Sequence, residues 1–207
     1  MSKLHVLSHP LTGNYLKNMR DKNSTPEVFR AQVKRLGVML ALEATKDLLV
    51  KSVKVDTPLC ETHENVTDQS VAIVPILRAG LGLMEPFLDL VPDAKTYCLG
   101  LYRNEETHEP VTYYNKLDEY EMVDVVYVID PMLATGGSAI ITIDALKSWG
   151  ATKIKFVGLI GAPEGVKAFQ TAHGDVDIYL AALDDHLNEN AYIVPGLGDA
   201  GDRIFNS

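Results

Sequence analysis

Cysteine is nearly missing from this chain: Cys60 and Cys98 are the only two among 207 residues. Two thiols cannot build a disulfide framework, and neither they nor the six histidines show zinc-ligand spacing. A reducing, cytoplasmic setting is the expectation. No apolar run approaches the roughly 18 residues of a membrane-crossing helix. Residues Met1 to Lys17 are interrupted by His5, His9, Pro10 and Asn14, so a signal-peptide core is not expected. Positive charge is scarce: 19 Lys and Arg stand against 28 Asp and Glu, a net charge of −9. That disfavours nucleic-acid binding as the main role, because phosphate neutralisation needs clustered cations. A small anion site made of backbone amides remains open. Repeats, low-complexity tracts and Ser/Gly linkers are lacking too, so residues 1–207 read as one domain. No nucleophile–base pair such as Ser–His or Cys–His stands out.

What is present is a strand–helix alternation. Ser24-Thr25-Pro26-Glu27 has capping-box spacing with Pro in the first turn. Phe29, Val33, Leu36 and Leu40 then recur at three and four residues, which predicts a helix to about Leu49. From residue 71 onward come short, continuous apolar runs: Val71–Leu77, Val125–Ile129, Phe156–Ile160 and Ile178–Ala181. Such runs fit strands buried on both faces of a parallel sheet. Helices are predicted between them at Leu81–Leu90, Ser138–Trp149 and Pro163–His173, with Gly150 as a C-cap. The pattern defines an α/β protein with a doubly wound, mostly parallel sheet, and places ligand sites beyond the carboxyl ends of the strands. Residues 102–117, polar between two β-like runs, read as a long hairpin or flap.

Three segments carry chemistry. The first is Ile129-Asp130-Pro131-Met132-Leu133-Ala134-Thr135-Gly136-Gly137-Ser138, a strand that ends in an acid and a turn that opens a helix. Gly136 and Gly137 let backbone amides approach an anion, Thr135 and Ser138 add hydroxyls, and the helix N-terminus favours negative charge. This outlines a monophosphate cradle; a Walker loop would need Gly-Lys-Ser/Thr. The second is Pro75-Ile76-Leu77-Arg78-Ala79-Gly80, where Arg78 offers a fork of donors to phosphate and Gly80 is read as allowing close approach. The third is Tyr192–Arg203. Its Gly196-Leu197-Gly198-Asp199-Ala200-Gly201 matches G-x-G-x-x-G in form, but six following residues leave no room for a dinucleotide unit. Asp184-Asp185 reads as a solvated corner without a role, Met132 and Leu133 as apolar anchors, and Trp149 as packing.

The Ile129–Ser138 segment resembles the phosphoribosyl-diphosphate (PRPP) loop of type I phosphoribosyltransferases. Its Asp-Pro-Met-Leu-Ala-Thr-Gly-Gly-Ser form is similar to that of the uracil phosphoribosyltransferases in particular. The Pro75–Gly80 and Tyr192–Arg203 segments agree, so the resemblance spans nearly the whole chain. The broader type I pattern carries two adjacent acids at the strand end. Here the second is Pro131, a departure shared by the uracil branch, and only Asp130 can reach a ribose hydroxyl through a side chain.

The resemblance implies an N-terminal helix, a flap that closes over PRPP, and a C-terminal hood over 182–207 that holds the base. It implies PRPP contacts from Arg78, Arg103, Asp130, Pro131, Met132, Leu133, Ala134, Thr135, Gly136, Gly137, Ser138 and Asp199. Uracil contacts fall on Tyr192, Ile193, Gly198, Asp199 and Ala200. Asp130, Asp199 and Arg103 carry the catalytic expectation. The implied reaction is uracil plus PRPP giving UMP and diphosphate, in pyrimidine salvage. Mg²⁺ is expected to be held by PRPP and water, with no protein metal ligand. A homodimer or larger homo-oligomer is implied, and GTP activation in some members. Two rivals stand beside this reading: a regulatory RNA-binding protein on the same fold, which a salt-steep RNA affinity would support, and a phosphoribosyltransferase for another base, which a base panel would separate.

Overall fold

The computed structural model describes residues 2–103 and 110–207. The chain opens with β1 (Leu4–Val6), α1 (Pro10–Arg20) and α2 (Pro26–Thr45), followed by the hairpin of β2 (Val50–Asp56) and β3 (Glu61–Thr67). Next come β4 (Val71–Pro75), α3 (Leu81–Leu90), β5 (Lys95–Thr96), and the paired β6 (Gly100–Arg103) and β7 (Pro110–Tyr114). The third part holds β8 (Val125–Ile129), β9 (Met132–Leu133), α4 (Gly137–Trp149), β10 (Ile154–Gly161), α5 (Pro163–Ala172) and β11 (Asp177–Leu183). The tail carries β12 (His186–Leu187), β13 (Ile193–Val194) and α6 (Ala200–Phe205).

Six of these strands form one sheet in the order β1-β11-β10-β8-β4-β5, with β9 beside the end of β10. Every pairing in it is parallel. A parallel strand needs cover on both faces, and alternate residues supply it. Ile73, Tyr127, Ile129, Val157, Leu159 and Tyr179 join Phe29, Val33, Leu36 and Leu40 of α2 in one core. Val74, Val126, Val128, Phe156, Ile178 and Leu180 join Ile143 and Leu146 of α4 and Phe169 of α5 in the other. Lys155, itself buried, donates to the carbonyl of Ala44 at 2.6 Å and pairs with Asp47, which ties the end of α2 to the sheet.

Apart from the end of α2, the core elements fall within two residues of their predicted ends. Five features differ or are new. Thr25, not Ser24, caps α2, accepting from the Val28 N–H at 3.3 Å, while the Ser24 hydroxyl donates to the Asn18 carbonyl at 2.6 Å. The helix stops at Thr45, because Leu49 already borders the β2–β3 hairpin, where the Asp68 N–H donates to its carbonyl at 2.8 Å. The segment before residue 21, read only for the absence of a leader, forms β1 and α1. The β2–β3 hairpin went unread: its arms pair only with each other and are mostly exposed, so no core-facing alternation marks them. The tail ends in a short helix, α6, which the sequence reading did not assign.

Candidate active site

Chain order around the sheet reverses between β4 and β8. From β4 the chain moves outward to β5; from β8 it moves the other way to β10 and β11. The loops leaving such neighbouring strands part to opposite faces and open a crevice. Here they lie side by side: Pro75 pairs with Ile129, and the Ile76 N–H donates to the Ile129 carbonyl at 3.0 Å. The Arg78 loop and the Asp130 loop therefore border one crevice.

After β8, Asp130 and Pro131 lead into β9, which clips the loop onto β10 through Met132↔Ile160 and Leu133↔Gly161. Leu133 is fully buried, as its anchoring reading requires. The chain then turns at Gly136, whose φ of +84° suits glycine, and enters α4. The first α4 bond runs from the Ile140 N–H to the Gly136 carbonyl at 2.9 Å. The amides of Gly137, Ser138 and Ala139 precede it and have no in-helix partner. They border a cup of about 80 Å³ lined by Asp130 and Met132–Ala139. A Cβ built on Gly137 meets nothing nearer than the Thr135 hydroxyl oxygen at 3.7 Å, so the cup has free space at its floor. Thr135 and Ser138 are exposed at its rim. These amides lack in-helix partners, that of Gly137 reaching only the Thr135 hydroxyl oxygen at 3.5 Å, and a helix start of this kind suits an anion.

Asp130 stands at the wall of this cup, part-exposed, and the Met132 N–H is bonded to its carboxyl. Desolvation pushes its pKa up to about 8, against the lowering effect of that bond. An acid crowded this way gains from a ligand that donates hydrogen bonds to it.

Arg78 is exposed and held at 3.3 Å from Asp202, with its guanidinium 5.4 Å from the Phe205 ring. The anion that steadies it beside a helix start is thus a side chain of α6. Two exposed groups at that distance bind weakly, so Arg78 is free to exchange partners. At Gly80 a Cβ would sit 2.5 Å from the Ile129 carbonyl oxygen and 2.7 Å from that of Ile76, so the packing of this loop on β8 by itself requires glycine. The Leu77–Arg78 peptide is cis.

The tail folds back over the same loops. Gly201 faces them: a Cβ built there would lie 3.7 Å from Arg78 Nη2 and 3.8 Å from the Ala79 Cβ. Asp199 caps α6, accepting from the Asp202 N–H at 2.9 Å. Ile193 and Ala200 are buried, Tyr192 and Gly198 exposed. Gly196 and Gly198 have φ of +62° and +79°, and Val194–Pro195 is cis. The structure thus gathers Arg78, Asp199 and the 193–200 loop at one end of the sheet, with Asp130 and the cup on the loop that leaves the neighbouring strand. Arg103 ends β6, paired with Pro110. Its side chain and residues 104–109, part of the expected 102–117 flap, lie outside the described residues.

Three residues with no assigned role support this site. A Cβ on Gly165 of α5 would lie 2.1 Å from the Ala134 carbonyl oxygen, so α5 abuts the cup loop. A glycine within a helical pattern is the signal that pointed there. Asp184, read as solvated, has a side chain only 2% exposed and pairs with Arg20. Both touch Gly196 of the 193–200 loop.

A doubly wound parallel sheet with a phosphate cup at its switch point is the architecture of the type I phosphoribosyltransferases. Solved structures agree in fold: the adenine phosphoribosyltransferase of Giardia lamblia superposes with a TM-score of 0.52 at 18% identity, over 79% of this chain and 83% of that one. A structure from Aquifex aeolicus is far nearer, with a TM-score of 0.90 and 39% identity over 98% of this chain and 97% of its own.

The model of the uracil phosphoribosyltransferase family matches residues 6–207. Proteins named uracil phosphoribosyltransferase from Roseiflexus castenholzii and Lactiplantibacillus plantarum are 52% and 50% identical, over the full length of both chains. The chain belongs to the uracil phosphoribosyltransferase family.

Proposed function

We propose that this chain is a pentosyltransferase that moves the 5-phosphoribosyl group of PRPP onto uracil, giving UMP and diphosphate. The observation that carries the reading is the cup at the start of α4, lined by Asp130 and Met132–Ala139 at the switch point, in a chain of this family. The amides of Gly137, Ser138 and Ala139, with the Thr135 and Ser138 hydroxyls, hold the 5′-phosphate. The loop from Pro131 to Ala134 lines the ribose, and Asp130 accepts from a ribose hydroxyl. Arg78 leaves Asp202 for the diphosphate, and Arg103 adds a second cation from the flap. Asp199 lies between the base and ribose subsites.

In the reaction the C1–O bond to diphosphate breaks, the bond from uracil N1 to C1 forms, and the N1 proton is released. Catalysis on this view is positioning and charge handling around an oxocarbenium-like centre. The backbone of Ile193, Gly198, Asp199 and Ala200 reads the edge of uracil, with Tyr192 beside the ring. Closing the flap would exclude water from the activated ribose. Among the described residues no group of three or more His, Cys, Asp or Glu converges, and the cup offers one carboxylate. Asp130 is the carboxylate that would lie nearest a Mg²⁺ brought in with PRPP, and the ion would supply charge neutralisation for the leaving diphosphate.

The reading extends to a single domain over 1–207 with a flap at 102–117 and a hood at 182–207. It also takes in a cytoplasmic location, a homodimer or larger homo-oligomer, and a GTP effector. Family likeness alone supports the last two. No helix among the described residues is long and apolar enough to cross a membrane. The test is incubation of the purified chain with PRPP, Mg²⁺ and a panel of bases. UMP and diphosphate should appear in equal amounts with uracil; turnover confined to a purine or to cytosine would overturn the assignment.

A further inference from the structure

The loop that carries the proposed base contacts makes few bonds within itself, so something else must set its course. Gly196 is the turning point. Its φ is +62°, and a Cβ there would lie 2.0 Å from the Ile193 carbonyl oxygen. Both of its backbone polar groups are claimed by one ion pair. The Gly196 N–H donates to Asp184 Oδ2 at 2.9 Å, and its carbonyl accepts from Arg20 Nη1 at 2.8 Å. Arg20 and Asp184 themselves meet through two parallel bonds, at 2.7 and 2.5 Å. The Asp184 side chain is 2% exposed and that of Arg20 24%. Water therefore competes poorly for this pair, and a two-pronged guanidinium–carboxylate contact fixes direction as well as distance.

A second arginine holds the next residue. Arg203 donates to the Leu197 carbonyl at 2.9 Å, to Met19 at 2.6 Å and to Asp21 at 2.6 Å. Its guanidinium lies 4.4 Å from the Phe29 ring. Backbone positions 196 and 197 are thus both tied to the end of α1, some 175 residues earlier in the chain.

We propose that Arg20 and Asp184 are positioning residues for the base loop. By holding both faces of Gly196, they set where the donors and acceptors of Gly198 to Ala200 stand, and so set uracil affinity and base choice. Neither touches substrate. The inference rests on the reading of 193–200 as the base-binding loop. A merely structural pair would affect melting and both substrates alike; a positioning pair acts on uracil alone.

The experiment measures Tm, kcat, both KM values and the uracil-to-cytosine preference for Arg20→Ala, Arg20→Lys and Asp184→Asn. Asp184→Asn keeps the shape and guards against a folding failure. In Arg20→Ala the KM for uracil should rise about tenfold or more, the scale of a lost charge-assisted hydrogen bond. The KM for PRPP should stay within about twofold. Arg20→Lys, with charge but no fork, should recover only part of the loss. Unchanged uracil KM in all three folded variants, or a parallel rise for both substrates, would overturn the proposal. Gly198→Val separates the two layers. If it raises uracil KM while the three variants do not, the base-loop reading stands and the brace fails. If Gly198→Val leaves uracil KM unmoved, the base-loop reading fails and takes the brace with it.

Discussion

Asp130 is asked to do two things that conflict. As the acid at the end of β8 it should be charged to bind a ribose hydroxyl, yet desolvation raises its pKa from 3.8 toward 8. A carboxyl with a raised folded-state pKa prefers to fold protonated. It costs nothing below about pH 4, and the cost grows as pH climbs from there toward 8. Asp130→Asn removes that cost. The variant should match the parent in urea denaturation at pH 4 and exceed it by about 1–2 kcal/mol at pH 8, a figure kept low because the residue retains solvent. Equal stability at both pH values would show that the acid is not crowded. The same substitution should lower kcat/KM by about 2–4 kcal/mol of transition-state stabilisation, the scale for removing a positioned electrostatic group. Stability gained at the expense of activity is the usual mark of a functional group held in an unfavourable setting.

The cup is built by a strand clip, a turn and a helix start, and its three glycines differ in what they permit. Gly137 has room for a side chain when no ligand is present, its nearest prospective neighbour lying 3.7 Å away. Gly137→Val should therefore fold, with Tm within a few degrees of the parent, and still raise the KM for PRPP at least tenfold by filling the phosphate space. An unchanged PRPP KM in a folded variant would remove the loop from the site. Gly136 needs its φ of +84°, and a Cβ there would crowd the Gly165 carbonyl at 3.1 Å. Gly136→Ala should cost about 1–2 kcal/mol in chemical denaturation through that backbone conformation. Gly165→Ala cannot be accommodated without moving the Ala134 carbonyl from α5. Overpacking of this kind costs about 1–3 kcal/mol. Its distinctive outcome is a rise in PRPP KM from a residue that touches no substrate; a purely thermal effect would mean that α5 does not shape the cup.

On the scale of the whole molecule, the candidate site exists because the fold brings three distant stretches to one end of the sheet: 76–80 after β4, 130–138 after β8, and 193–203 in the tail. On the proposed reading, base choice follows from the last of these. Tyr192–Ala200 contains a single charge, Asp199, and its other contacts to a base must come from backbone groups whose donor and acceptor order is fixed. Cytosine presents an amino donor where uracil presents an acceptor oxygen. Each backbone donor left facing it would cost about 1–3 kcal/mol, and sites built this way reject such analogues by roughly 10⁴-fold. With PRPP and equal amounts of the two bases, uracil should be consumed almost alone. Comparable turnover would show that side chains or water, not backbone, read the base.

The α/β class, the strands that carry the core and the cup itself were legible in the chain, because each is a local pattern. Buried parallel strands leave runs such as Val125–Ile129, and a phosphate cradle needs glycines and hydroxyls within a few residues of a helix start. What could not be read depends on partners far away in sequence. Nothing around Arg20 or Asp184 marks them: Asp184 looks like half of a solvated acidic corner until Arg20 and Gly196 are placed against it. Gly80 looked like a ligand-approach glycine, and only the course of β8 beneath it shows that the Ile129 carbonyl leaves no space for a Cβ. The β2–β3 hairpin escaped for the opposite reason, since exposed arms paired with each other place no demand on hydrophobic order. Sequence alone therefore determined the sheet, the helices that cover it and the residues suited to an anion. Tertiary structure decided which of those residues face a common crevice and which hold the base loop in place. Hydrogen-bond partners more than 150 residues apart are chosen by packing, not by the local preferences a sequence displays.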